Sequence, residues 1–316
     1  MDLVLAAAEQ HVRLFQQFDP DSFMNASIHY LSVVRELCEH GSTTVPALVG
    51  FANAALPAEV TLVGPRGGRL GRGRESDLRL DEAGKAGMVL ETTCALRLAV
   101  SAEPPPHEFF GVGELYQDAD FVAISGLLAT RDREEHALPR YVWTKLLDPL
   151  SPYTGWLQPV RPGMRTVELN EAAAGDLASW LGRLEANYHP SIKVALKRTI
   201  SAFAERNSPE DALVDLVIAL ESLFGGQGEL RMRISAAIAW LLAPDADGRA
   251  VIQRDTKNVY DARSKLVHGE ELAGDDVVEH QRHAESLVLG SLEQLLTSRT
   301  DLVANRERSI ALILGR

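Results

Sequence analysis

Residues 208–226, SPEDALVDLVIALESLFGG, constrain the fold more than any other stretch of the chain. Ser208 offers a side-chain oxygen at a helix start, Pro209 suits the first turn, and Glu210 and Asp211 sit at the positive end of the helix dipole. Gly225 and Gly226 supply the stop. Between these signals Leu213, Val214, Leu216, Val217, Ile218, Ala219, Leu220, Leu223 and Phe224 leave little polar face, so the helix is predicted to lie at the centre of a bundle. Glu221 falls inside this apolar run. A buried carboxylate is costly unless a cation and hydrogen bonds satisfy it, so a buried arginine partner is expected. Arg263 is the leading candidate, with Arg231 and Arg233 as rivals.

The sequence around this helix is helical as well. Apolar spacing predicts helices over 172–188 and from Pro190 to about 206, then in ELRMRISAAIAWLLAP and in GRAVIQRDTKNVYDARSKLVHG, the last ending at Gly269. A long helix through about 275–297 and a shorter one complete the set. Upstream the pattern differs. A helix at about 21–40 precedes short β-like runs at 59–63, 88–100, 121–130 and 141–147, separated by Gly- and Pro-rich breaks. The stretch 148–164, DPLSPYTGWLQPVRPGM, reads as a linker because each proline fixes φ and removes a donor. The fold class expected is therefore an α+β amino-terminal domain over 1–165 followed by an all-α domain over 166–316. No repeat at solenoid spacing is present.

Composition narrows the function classes. A formal net charge of −12 disfavours a protein that coats nucleic acid with a broad basic surface. A local basic pocket remains compatible with it, since residues 190–273 hold 11 basic and 12 acidic groups, the most balanced part of the chain. Cys38 and Cys94 are the only cysteines, which argues against a disulfide framework or a structural zinc site and fits a reducing compartment. The start, MDLVLAAAEQHVRLF, has Asp2 where a signal peptide would be basic, and no stretch approaches the ~20 apolar residues of a spanning helix. The expectation is a cytoplasmic protein with no membrane partner and no cofactor.

The candidate chemistry lies in YDARSKLVHG, residues 260–269, where Arg263 and His268 have a spacing associated with metal-free RNA cleavage. Spacing alone is weak: the composition yields roughly two such matches by chance, and the chain has four. Arg35/His40 lies at a helix end, Arg131/His136 sits in a charge-dense run that reads as a solvated loop, and Arg183/His189 runs into a helix-breaking His-Pro step. Arg263/His268 stands apart because it closes a helix, before Gly269, in the domain that holds Glu221. Five steps at 100° place the two residues about 140° apart on a regular helix, so convergence needs a chain turn, a bent arginine side chain, or a second copy across a two-fold axis.

The segments ALESLFGG, ELRMRISAAIAWLL and VYDARSKLVHG together resemble the Apea-like branch of the HEPN domains, over about residues 190–297. The resemblance implies a small helical bundle and RNA cleavage without metal at a site formed between two protomers, in toxin, antiphage or RNA-processing settings. It also implies a possible alternative, since inactive members serve as RNA- or nucleotide-binding sensors or assembly modules. The residue types suit the reaction. RNA carries its own 2′-hydroxyl nucleophile, so the protein must supply a proton-transfer group near neutrality and a fixed cation for the phosphorane. His268 is expected to move the proton and Arg263 to stabilise the transition state, giving 2′,3′-cyclic phosphate ends. Glu221, Ser264, Lys265 and Tyr260 are the supporting candidates: Ser264 and Lys265 for positioning phosphate, Glu221 for orienting Arg263. The expected partners are RNA and a second copy of the chain, with an unknown ligand or trigger bound by residues 1–165. A structural alternative is a plain helix cap, with Arg263 paired to Glu221 and His268 bonding a last-turn carbonyl.

Weaker candidates complete the reading. GPRGGRLGRGRESDLRL at 64–80 is a Gly/Arg-rich loop without a Walker A lysine. Glu279, His280 and His283 share a helical face, but a catalytic zinc needs a third suitable ligand and none is evident; no metal is expected. Tyr153 and Trp156 are suited to stacking on a base or to packing.

Overall fold

The computed structural model describes residues 9, 13, 35, 39, 43–51, 54–55, 62–63, 69–71, 94–102, 112–133, 135–144, 155–157, 167–226 and 229–315. Two compact units divide the chain, and it passes between them more than once: the first takes 1–126, 137–158 and 165–179, the second 127–136, 159–164 and 180–316.

In the first unit the strands are β1 (Thr43–Phe51), β2 (Ala54–Ala55), β3 (Leu62–Val63), β4 (Arg69–Gly71), β5 (Cys94–Ala102), β6 (Pro139–Thr144), β7 (Gly155–Leu157) and β8 (Val167–Glu168). Six of them form a sheet in the order β3-β4-β5-β1-β6-β7, antiparallel throughout, with Val45 opposite Val100 and Val49 opposite both Leu96 and Val142. β2 and β8 pair separately in parallel. Of the helix expected at about 21–40, Arg35 and Glu39 are helical and the rest lies outside the described residues.

One expectation is overturned here. The run FVAISGLLAT at 121–130 belongs to helix α1 (Val112–Ala129), not to a strand. Phe121, Val122, Ala123, Ile124, Leu127 and Leu128 are all buried. A helix covered on every side carries no polar face, and an apolar run of that length reads alike as a core strand or a core helix.

The carboxy-terminal part is a helical bundle. The helix α2 (Glu171–Asn187) is crossed by the division between the units, and the bundle's elements are α3 (Lys193–Ile200), α4 (Pro209–Phe224), α5 (Leu230–Leu242), α6 (Ala246–Val267), α7 (Gly274–Thr297) and α8 (Arg308–Ile313). A single π-helical turn, Ser201–Glu205, links α3 towards α4. The start of α4 is capped as predicted, the Asp211 N–H donating to Ser208 Oγ at 3.1 Å. Packed by α3, α5, α6 and α7, α4 occupies the middle of the bundle. On α7 the buried positions Val277, Gln281, Ala284, Val288, Ser291 and Leu295 recur every three or four residues, the stripe that seats it on α4. The connection between α5 and α6 is only Ala243–Asp245, and Arg231 of α5 pairs with Asp261 of α6, so the two form an antiparallel hairpin. That pairing brings the start of α5 to the end of α6 that carries Arg263 and His268.

Candidate functional site

The last turn of α6 is closed by its own backbone. His268 is the cap residue at φ −86° and ψ 4°, and Gly269 follows at φ +78°, a left-handed conformation that disfavours residues with a Cβ. The Glu270 N–H donates to the Lys265 carbonyl at 2.9 Å and the Gly269 N–H to Leu266 at 3.1 Å, the paired bonds of a Schellman cap. The helix end predicted at Gly269 is thus present. The imidazole takes no part in it: His268 is exposed, and only its backbone N–H bonds into the last turn, to Ser264 and Lys265.

Arg263 lies one turn and a half upstream, half-buried, on a helix that stays regular through Val267. The backbone therefore aims Arg263 and His268 to different sides, about 140° apart. Among the described residues the guanidinium forms no ion pair, and its Nε is buried without a hydrogen-bond partner. Ser264 and Lys265 are exposed next to it. Tyr260, three residues before Arg263, is only 8% exposed, and its hydroxyl likewise has no partner. Its phenol is pushed above the ordinary tyrosine range, first by burial and then by the negative charge of Glu221, against the opposing pull of Arg263. Glu221 and Arg263 thus both lie within electrostatic reach of Tyr260.

Glu221 itself departs from expectation. It is half-buried instead of buried, and no hydrogen bond or ion pair joins its side chain to Arg263, Arg231 or Arg233. Arg231 is committed to Asp261. Its position near the carboxy-terminal end of α4 gives it access to solvent, which relieves the need for a buried cation.

The buried carboxylate of α4 is Asp215, which the sequence reading passed over. It is 2% exposed and accepts from Arg198 Nη1 at 2.8 Å, Arg206 Nε at 2.6 Å and Ser201 Oγ at 3.0 Å. The guanidinium of Arg206 is held above its usual range chiefly by the bond to Asp215. A signal was present. Asp215 interrupts the same apolar run six residues before Glu221, and Arg198 and Arg206 flank the apolar segment just upstream.

The other Arg/His matches resolve into structural roles or remain outside the site. Arg131 pairs with Glu293 of α7. The run opens as the exposed turn expected over 131–133, but the His136 side chain is half-buried: its ring meets Phe203 edge-on at 5.0 Å and its Nδ1 lies 3.1 Å from the Thr130 carbonyl, which can only accept. Burial lowers the pKa of His136, and the bond to Thr130 opposes this. Arg183 is exposed over the Trp180 ring, and the His189 side chain accepts from the Ser191 N–H at the start of the turn Pro190–Ile192. Arg35 is exposed, and His40 lies outside the described residues. Within the Gly/Arg loop Arg69–Gly71 forms β4, Trp156 lies in β7, and Tyr153 falls outside the described residues. Glu279 and His283 are exposed and His280 is half-buried; among the described residues no group of three His, Cys, Asp or Glu side chains is placed to hold a metal. No helix among them is long and apolar enough to cross a membrane.

With this geometry in hand, comparison with known proteins found no match to any family model, curated protein or solved structure.

Proposed function

We propose that the chain is a metal-independent endoribonuclease whose site is formed where the α6 ends of two copies meet. The observation that carries the reading is that, among the described residues, neither the Arg263 guanidinium nor the His268 imidazole has a hydrogen-bond or ion-pair partner, one turn and a half apart at a helix end. A structural cap would use them. Here the cap is made by backbone and Gly269, so both side chains stay available for a substrate.

In this reading the substrate's 2′-oxygen attacks the adjacent phosphorus while one His268 takes its proton. The bond from phosphorus to the 5′-oxygen breaks as the second copy's His268 protonates that oxygen. Arg263 offers a planar pair of donors to the phosphorane oxygens, and Ser264 and Lys265 hold flanking phosphate. The 140° between Arg263 and His268 makes the second copy part of the chemistry, because Arg263 of one copy can then serve His268 of the other. Leu230, Met232 and Val267, at 40%, 60% and 54% exposure, place apolar surface at this same end of the α5/α6 hairpin, as a two-fold contact requires. The setting inferred from the family resemblance is a toxin or antiphage role. Residues 1–165 are assigned recognition of a trigger.

The test is cleavage of generic RNA by the purified chain in excess EDTA, with product ends identified by mass spectrometry. Activity that persists in EDTA, leaves 2′,3′-cyclic phosphate and disappears in both Arg263→Ala and His268→Ala is the expected result. Equal cleavage by His268→Ala removes the mechanism. The second reading, a non-catalytic sensor or assembly module, is favoured by the divergence of the two side chains within one copy; it predicts dimerisation without cleavage.

A further inference from the structure

Buried polar atoms are rarely left without a partner, so two orphans on one face of one helix call for an explanation. Tyr260 and Arg263 are three residues apart on α6, and side chains at that spacing adjoin on a helix surface. Tyr260 Oη and Arg263 Nε are both buried and both lack a hydrogen-bond partner. Nε–H can only donate, and a phenol kept protonated by burial offers its own O–H. What is missing is therefore an acceptor. A species with two or more oxygens would satisfy both donors, and a negative one would also balance the unpaired guanidinium.

The chain has an internal acceptor at hand in Glu221, close enough to act on Tyr260 by its charge, yet bonded to neither donor. Glu221 and Arg263 are both half-buried, and among the described residues neither long side chain has an ion-pair partner.

We propose that Tyr260 and Arg263 form an oxyanion subsite that takes a phosphate group, with Glu221 as the carboxylate an incoming anion must overcome. The subsite deepens the proposed nuclease reading, since an RNA phosphodiester is the group it would receive. The subsite can nevertheless stand or fall separately. Tyr260 acts here as a ligand of the phosphate and moves no proton. Glu221 sets the electrostatic threshold for entry: its charge opposes a second anion and is removed by Glu221→Gln.

The experiment uses the full chain as wild type, Tyr260→Phe and Glu221→Gln, titrated calorimetrically with inorganic phosphate and, in a second arm, with a non-cleavable 2′-deoxydinucleotide. Thermal unfolding is followed in parallel. Tyr260→Phe is expected to weaken phosphate binding about tenfold, the worth of one hydrogen bond to a charged group, while Tm stays level or rises because no intramolecular bond is lost. Glu221→Gln is expected to tighten binding several-fold. Binding of inorganic phosphate alone assigns the subsite to a free anion, and binding of both probes assigns it to a phosphodiester. No phosphate binding by the wild type, equal binding by Tyr260→Phe, or weaker binding by Glu221→Gln overturns the proposal. If the wild type cleaves no RNA but loses phosphate binding in Tyr260→Phe, the nuclease reading fails and the subsite stands; cleavage with unchanged phosphate binding in Tyr260→Phe gives the reverse.

Discussion

Asp215 Oδ2 accepts a hydrogen bond from Arg206 Nε at 2.6 Å, which ties the residue after the π-helical turn to the buried face of the central helix α4. Arg198 and Ser201 complete the shell around the same carboxylate. The two arginines are 43% and 38% exposed, whereas Asp215 is 3% exposed at its side chain, so the costs of cutting the network from its two ends differ. Removing the carboxylate in Asp215→Ala lets both guanidinium groups turn to water and should cost about 2–3 kcal/mol. Removing both cations in Arg198→Ala/Arg206→Ala strands a buried charge and should cost about 3–5 kcal/mol. Denaturant unfolding of the variants checks the order, and equal losses would contradict it.

A pH dependence follows from His136. Its folded-state pKa lies below the ordinary 6.5 because burial disfavours the imidazolium. As pH falls through 6.5 the unfolded chain takes up a proton that the fold refuses, so this contribution to stability declines from 6.5 down to the folded-state value and is constant above 6.5. His136→Gln should therefore flatten the Tm-against-pH curve on the acid side of pH 6.5, relative to wild type. A variant curve parallel to the wild type would show that His136 is not the group responsible.

Gly269 offers a purely conformational test. A Cβ there would meet nothing within 4 Å, so substitution is opposed only by the positive φ of 78°. Gly269→Ala should lower stability by about 1–2 kcal/mol, and Gly269→Asn by less, because asparagine enters the left-handed region more readily. If the nuclease reading holds, RNA cleavage should fall further than stability in Gly269→Ala, since His268 is the adjoining cap residue. Urea unfolding and cleavage assays on the same preparations separate the two effects.

Arg263 and stability should be uncoupled. Among the described residues the guanidinium forms no ion pair, so Arg263→Lys is expected to leave Tm within a few degrees of wild type. Cleavage should drop about 10²-fold through loss of the planar pair of donors. A large fall in Tm with cleavage intact would assign Arg263 to packing instead.

The legible part of the fold was local. The Ser208 cap, the Pro209 start and the helix end at Gly269 are backbone events set by neighbouring residues, and all three stand where the sequence places them. The run 121–130 was misread because complete burial removes the polar face by which a helix is recognised. The site was legible only in outline. Arg263 and His268 sit at a helix end as expected, but nothing local to Glu221 shows that it reaches solvent or that Asp215 holds the arginines.

What the sequence determined by itself was the helical character of the carboxy-terminal half, the central place of α4 and the closure of α6, because caps, prolines, glycines and apolar periodicity act within a few residues. Tertiary structure decided which charges meet. It joined Asp215 to Arg198 and Arg206, set the half-buried His136 against Phe203, and left Tyr260 and Arg263 as unsatisfied donors, Tyr260 within electrostatic reach of Glu221. The cost of a buried polar group depends on the atoms that surround it in three dimensions, and sequence spacing does not carry that information.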